Sequence, residues 1–104
     1  MGFDQYNEPP DELPAEVRTF ARMMASRFEQ AEAIGWYEQR LAVEKDKDAR
    51  AIMKNAQQEE IQHFGMDLEF LLRQKPVWRE IMRGILFTKD DITKLADKSE
   101  KAAD

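Results

Sequence analysis

A single glutamate–histidine pair is the strongest chemical signal in this sequence. Glu60 and His63 are three residues apart, in a segment that reads QEEIQH at residues 58–63. On an α-helix this spacing puts the two side chains about 60° apart on one face, one turn apart along the axis. Inside a helical bundle, glutamate and histidine at this spacing are the ligand pair of two-iron carboxylate sites. The pair is therefore a candidate metal site.

Neighbouring apolar residues predict the direction in which this pair points. Met53 lies about 20° from Glu60 around the helix, and Ala56 and Phe64 lie within about 40° of it. Glu60 and His63 should therefore point into the apolar stripe, where an unpartnered carboxylate costs several kcal/mol. Such a carboxylate must be paired, hydrogen-bonded or bound to a cation. The alternative is an ordinary helix, because Glu-x-x-His is a common sequence and a lone histidine is more often structural than a ligand.

Residues of an earlier helix could supply the oxygen ligands opposite this pair. Gln30 and Tyr37 are seven residues apart and share a line with Met23, so we expect both to face inward. Glu29 and Glu32 lie on an adjacent, more exposed face, where they form either a weak cation site or a solvated carboxylate pair. Tyr37 has an alternative role as a core aromatic residue whose hydroxyl finds a hydrogen-bond partner.

Two long amphipathic helices should position these residues. The first runs from residue 14 to about residue 45, with apolar residues at three- and four-residue steps. A polar break at residues 44–48, with a possible aspartate cap, separates it from a second helix over about residues 49–74. Pro76 ends the second helix, since proline cannot continue one, and a short third helix follows over about residues 77–86.

These elements predict an all-α fold: an antiparallel two-helix hairpin plus a short C-terminal helix. We expect an N-terminal arm at residues 1–13, a hairpin domain at residues 14–88 and a mobile tail at residues 89–104. One hairpin buries only one side of each helix, whereas two hairpins form a four-helix bundle that buries both. A di-iron site in a bundle also needs two Glu-x-x-His pairs. Packing and chemistry thus predict the same dimer.

Composition and charge exclude several function classes. The 104 residues are 42% hydrophobic and 36% charged, with a formal net charge of −5 and no cysteine. Lysine and arginine are scattered, so there is no basic face for nucleic acid. No apolar run approaches the roughly 18 residues of a membrane span, and the N-terminus has no signal-peptide pattern. We therefore expect a cytoplasmic protein that binds neither nucleic acid nor a membrane.

Five blocks of the sequence resemble the encapsulated ferritins, short ferritin-like proteins housed inside encapsulin nanocompartments. The blocks cover most of residues 7–88 in the right order and spacing: NEP at 7–9, EAIGWYEQR at 32–40, QEEIQH at 58–63, LEFLLR at 68–73 and LFT at 86–88. The resemblance implies a ferritin-like four-helix bundle built by two subunits, an open decameric ring of five dimers, and a ferroxidase centre at one type of dimer interface. It also implies the encapsulin shell protein as a partner and a location inside that compartment.

The resemblance also assigns roles to individual residues. It implies that Glu60 and His63 are ligands of a di-iron site at the subunit interface, where Fe²⁺ is oxidised to Fe³⁺, and that Tyr37 is the tyrosine of that site. Glu29 and Glu32 match acidic residues of a peripheral metal site, which could hold Ca²⁺ or another divalent ion.

Gln30 departs from the family pattern, which has a glutamate iron ligand at this position. An amide offers a neutral carbonyl oxygen but removes one negative charge per subunit. Three functions stay open: a ferroxidase of iron storage, a weakened or inactive metal-binding or assembly variant of the same family, and a plain helical dimerisation module. Residues 94–104 also lack the Gly-Ser-Leu-rich docking peptide that is typical of encapsulin cargo.

Overall fold

The chain folds into α-helices joined by short connections. A computed structural model describes residues 6–103. A 3₁₀ helix at Pro10–Glu12 precedes four α-helices: α1 (Ala15–Val43), α2 (Lys47–Arg73), α3 (Pro76–Arg83) and α4 (Ile92–Ala103). The described part of the chain contains no strand, and the predicted all-α fold class is confirmed. Within residues 6–103, no helix is both long enough and apolar enough to cross a membrane.

The connection between α1 and α2 is held by side chains that satisfy backbone groups. The carboxylate of Asp46 accepts the backbone N–H of Ala49 at 2.9 Å and so caps the start of α2. The guanidinium of Arg50 donates to the backbone carbonyl of Leu41 and, at 3.1 Å, to that of Glu44. The predicted aspartate cap is confirmed, and it allows a three-residue turn between two long helices.

Two compact units divide the chain within α2, one ending at Glu69 and the other beginning at Phe70. In the first unit, α1 and α2 lie side by side. The amide of Gln57 donates to the backbone carbonyl of Ile34 at 3.1 Å and to the carboxylate of Glu38 at 2.9 Å. The guanidinium of Arg27 lies over the ring of Phe64, 4.7 Å from its centroid. Early residues of α1 thus meet late residues of α2, which is the antiparallel hairpin register.

In the second unit, α4 packs on α3. The hydroxyl of Ser99 is buried and donates to the backbone carbonyl of Ile81 at 2.6 Å and to that of Glu80 at 3.3 Å. Gly84 lies directly opposite, where a β-carbon would fall 2.6 Å from that of Ser99. The sequence predicts a mobile tail over residues 89–104, whereas residues 92–103 form a helix. Two small residues allow this close approach of the helices. The division of the chain into arm, domain and tail stays a prediction.

Few apolar residues of the single chain are fully buried. Among the described residues, the buried hydrophobic side chains are those of Ala25, Leu71 and Leu72. Large apolar side chains of α1 and α2 remain exposed instead: Val17, Met24, Phe28, Trp36, Val43, Ile52, Ile61, Met66 and Phe70. On α1, Val17, Met24 and Phe28 fall within about 40° of one another around the helix. Each long helix therefore has a second apolar face in addition to the one that packs within the hairpin.

Candidate metal centre

Glu60 and His63 lie side by side on α2. The Nδ1 atom of His63 is 3.5 Å from the Oε1 atom of Glu60. Two ligands bonded to one ion at about 2.1 Å lie about 3.0 to 3.4 Å apart, so only a small movement is needed for both atoms to bind the same ion. The two side chains supply one anionic oxygen ligand and one imidazole ligand, a donor set that suits iron and zinc.

The exposures of these two side chains differ. In the single chain the side chain of Glu60 is 28% exposed and that of His63 is 52% exposed. The side chain of Glu60 is therefore partly buried, whereas His63 lies at the edge of the hairpin. His63 falls within about 20° of Ile52 around α2, and Ile52 is 71% exposed. The histidine therefore borders the second apolar face of α2.

Gln30 lies on α1 one turn from Arg27, which contacts Phe64 of α2, and one turn from Ile34, whose carbonyl accepts from Gln57 of α2. Its amide nitrogen donates to the hydroxyl of Ser26 over a long 3.4 Å. Its Oε1 atom is buried and has no hydrogen-bond partner. An unpartnered buried acceptor costs about 1–3 kcal/mol. A cation bound at this oxygen would remove that cost, so the position of Gln30 fits a metal ligand even though its charge does not match that of a glutamate.

The remaining predicted site residues are distributed around α1. Tyr37 is partly buried, and the guanidinium of Arg40 lies 5.3 Å from the centroid of its ring. Glu29 is exposed and Glu32 is partly buried. Trp36, on the same stretch of helix, is 49% exposed. Within residues 6–103, no three histidine, cysteine, aspartate or glutamate side chains lie close enough together to hold a metal ion.

Sequence reasoning missed one acidic residue of this region. Asp67 follows His63 by four residues on α2, and its Oδ2 atom is buried without a hydrogen-bond partner. The signal was present in the sequence, because positions 60, 63 and 67 repeat at the three- and four-residue steps of one helix face. The Glu-x-x-His motif ends at His63 and does not include this position.

Comparison with known proteins identifies the family. A family model described as EncFtn-like matches residues 5–89. The chain belongs to the EncFtn-like family, the encapsulated ferritins. A ferritin-like protein of Thermotoga maritima is 41% identical to it over 96 residues, which cover 92% of this chain and 84% of that protein. An encapsulated ferritin-like protein of Rhodospirillum rubrum is 37% identical over 87 residues, which cover 84% of this chain and 62% of that protein.

A solved structure agrees with the family assignment. The crystal structure of a protein from Nitrosomonas europaea matches with a TM-score of 0.81 at 37% identity, and the match covers 86% of this chain and 98% of that one. The resemblance found from five sequence blocks is thus confirmed. An EncFtn-like protein is ferritin-like, so the function of this chain is related to iron.

Proposed function

We propose that this EncFtn-like protein is a ferroxidase of iron storage, which oxidises Fe²⁺ to Fe³⁺ at a two-iron site shared by two subunits inside an encapsulin compartment. The observation that carries the proposal is the juxtaposition of Glu60 and His63, with Nδ1 and Oε1 3.5 Å apart. The buried, unpartnered Oε1 atom of Gln30 on the facing side of α1 adds a third donor. The Rhodospirillum rubrum relative is named as an encapsulated protein, which supports the encapsulin shell as a partner.

A second copy of the chain completes the site in this proposal. One hairpin offers a single Glu60–His63 pair, and a bundle with two irons uses two such pairs. The second apolar face of α2 is exposed in the single chain, with Ile52 at 71% and Met66 at 61%. A partner hairpin packed on this face would cover these side chains and bring its own Glu60 and His63 next to the first pair. The assembly is then a dimer, or a ring of such dimers up to a decamer.

The donors fit the oxidation of the substrate iron. Carboxylate oxygens stabilise Fe³⁺ more than Fe²⁺, because the interaction with an anionic ligand grows with the charge of the ion. Two Fe²⁺ ions held together can deliver two electrons to one O₂ molecule. Glu60 and His63 would hold the ions, and Tyr37 would lie beside them on the facing helix. Glu29 and Glu32 would form a peripheral site for Ca²⁺ or another divalent ion, or for iron on its way to the centre.

The test is aerobic addition of Fe²⁺, with the absorbance of the ferric product followed over time. The unchanged chain should oxidise Fe²⁺ faster than buffer alone, and Glu60→Ala or His63→Ala should abolish the difference. Glu29→Ala and Glu32→Ala are matched controls, because they remove the same type of charge from the peripheral site and should alter only loading. If Glu60→Ala and His63→Ala both oxidise Fe²⁺ at the unchanged rate, the proposed centre is wrong.

A second candidate function, a metal-binding or assembly subunit with little oxidase activity, is favoured by the neutral amide of Gln30. Measurement of assembly separates the two candidates. Light scattering that shows a metal-promoted dimer or ring, together with negligible oxidation by the unchanged chain, would favour the assembly function. A folded 12 kDa monomer at micromolar concentration, with or without Fe²⁺, would exclude both.

A further inference from the structure

Three buried side-chain atoms of the described residues have no hydrogen-bond partner: Arg27 Nε, Gln30 Oε1 and Asp67 Oδ2. Arg27 and Gln30 are on α1 and Asp67 is on α2, and all three belong to the unit that ends at Glu69. Two of the three atoms are oxygens, and one of these belongs to a carboxylate. Buried acceptors without donors are destabilising, and more so when they are charged. Asp67 follows His63 by four residues on α2, so a cation bound beside Glu60 and His63 is a candidate partner for its buried oxygen.

The protein alone does not supply enough donors for these oxygens. Arg27 is the one orphaned donor of the three, and its Nε–H can satisfy Gln30 or Asp67 but not both. Its guanidinium is already engaged with the face of Phe64, 4.7 Å from the ring centroid. At least one buried oxygen therefore needs a partner from outside this chain, either a metal ion or a water molecule.

The position of Asp67 matches the dimensions of a two-metal centre. Around α2, Asp67 lies about 20° from Glu60 and about 40° from His63, so the three side chains form one row. The row extends about 10 Å along the helix axis, at about 1.5 Å per residue. Two metal ions about 3.5–4 Å apart, with ligand bonds of about 2 Å at each end, span about 8 Å between their outer ligand atoms. A row with Glu60 at one end and Asp67 at the other is therefore long enough to hold both ions.

We infer that Asp67 is a metal ligand of the shared site and supplies the negative charge that Gln30 does not. The inference rests on the proposed function. The family has a glutamate at position 30, so the glutamine of this chain leaves the site with one carboxylate fewer per subunit. Asp67 supplies a carboxylate from the facing helix instead. The site then has Glu60, His63, Gln30 and Asp67 from each subunit, with two carboxylates per subunit.

The first test measures metal affinity by calorimetry with Co²⁺, an ion that air does not oxidise. Asp67→Asn keeps the shape of the side chain and removes its charge, and it should weaken Co²⁺ binding by at least about 10-fold. Asp48→Asn is the matched control, because it makes the same change on the same helix, about 28 Å away along the axis, and should leave the affinity unchanged. Equal affinity in Asp67→Asn and the unchanged chain would overturn the inference and indicate that a water molecule satisfies Asp67.

Restoring Co²⁺ affinity with a second substitution distinguishes a metal ligand from a residue that only stabilises the fold. If Asp67 supplies the charge that Gln30 lacks, Gln30→Glu should restore most of the Co²⁺ affinity lost in Asp67→Asn. Loss of affinity that Gln30→Glu does not restore would contradict this role. If the unchanged chain binds no Co²⁺, or if Glu60→Ala binds it equally well, the proposed iron site itself is wrong and the inference fails with it.

A measurement on the unchanged chain covers the case in which Asp67→Asn does not fold. Protein labelled with ¹³C at the aspartate side-chain carboxyl is titrated with Zn²⁺ and followed by NMR. One aspartate signal should shift in step with metal binding, because direct coordination changes the electronic environment of the carboxyl carbon. If Zn²⁺ binds and no aspartate carboxyl signal moves, Asp67 is not a ligand.

Discussion

Gly84→Ala should release α4 from α3. In the native packing, a β-carbon added at Gly84 would lie 2.6 Å from the β-carbon of Ser99. Carbon atoms in favourable contact are about 3.5–4.0 Å apart, so the two helices would have to separate by about 1 Å. Ser99 cannot rotate away, because its β-carbon is fixed to the backbone of α4. The separation would also lengthen the 2.6 Å hydrogen bond from the Ser99 hydroxyl to the carbonyl of Ile81.

The expected cost follows from this overlap. Overpacking by one methyl group destabilises by about 1–3 kcal/mol, and the weakened hydrogen bond adds about 1 kcal/mol at most. The destabilisation acts on the docking of α4 and need not unfold the hairpin. A total cost of about 1–4 kcal/mol corresponds to about 5- to 900-fold faster exchange of the amide hydrogens that exchange when α4 undocks.

Hydrogen exchange of the backbone amides of α4 is the assay. Gly65→Ala is the matched control, because among the described residues no atom beyond the chain neighbours and the local helix backbone lies within 4 Å of a β-carbon added there, and alanine favours a helix interior by about 1 kcal/mol over glycine. Unchanged exchange of α4 in Gly84→Ala would refute the packing of α4 on α3.

Three further outcomes are expected. Gln30→Glu should speed aerobic Fe²⁺ oxidation more in the Asp67→Asn variant than in the unchanged chain, since a carboxylate at the iron stabilises Fe³⁺ more than an amide does and Asp67 already supplies one in the unchanged chain; an equal effect in both would mean that Asp67 does not supply this charge. Asp46→Ala should destabilise the chain to urea by about 1 kcal/mol through loss of the α2 cap, and an unchanged urea midpoint would mean that the cap contributes nothing. The side-chain hydrogen bond from Thr93 and the backbone N–H of Lys94 lower the pKa of Asp91 below its ordinary 3.8. The ionised carboxylate therefore stabilises α4 fully above pH 3.8, and this stabilisation is lost as the pH falls through the lowered pKa. Hydrogen exchange of α4 measures it as slower exchange in the unchanged chain than in Asp91→Asn. This difference should disappear in acid.

Most of the fold could be predicted because long helices leave a strong periodic signal. The apolar steps of α1 and α2, the polar break with Asp46 and the stop at Pro76 all have direct physical causes in the sequence. Helix α4 was not predicted, although Ile92, Leu95 and Ala96 recur at the steps of one helix face, because charged residues dominate this segment and are also typical of a solvated tail. Its close contact with α3 is made by Gly84 and Ser99, which are too small to add to the apolar pattern.

The candidate site could be predicted only in part. The spacing of Glu60 and His63 and the inward side of Gln30 follow from the helical period alone. The position of His63 at the hairpin edge depends on how α2 is rotated about its axis against α1. The spacing of apolar residues does not determine this rotation when both sides of the helix are apolar. The unpartnered oxygen of Asp67 becomes visible only when the hydrogen-bond donors around it are known.

The central claim is that two subunits share one two-iron site, and anomalous diffraction at the iron absorption edge tests it most directly. Crystals of the unchanged chain would be grown with Fe²⁺ without oxygen, and the anomalous peaks located. Two peaks about 3.5–4 Å apart are expected, related by a two-fold axis and lying between Glu60 and His63 of one subunit and the same residues of its partner. Iron bound within a single hairpin, or no iron beside Glu60 and His63 in crystals that contain it elsewhere, would show that two subunits do not share the site.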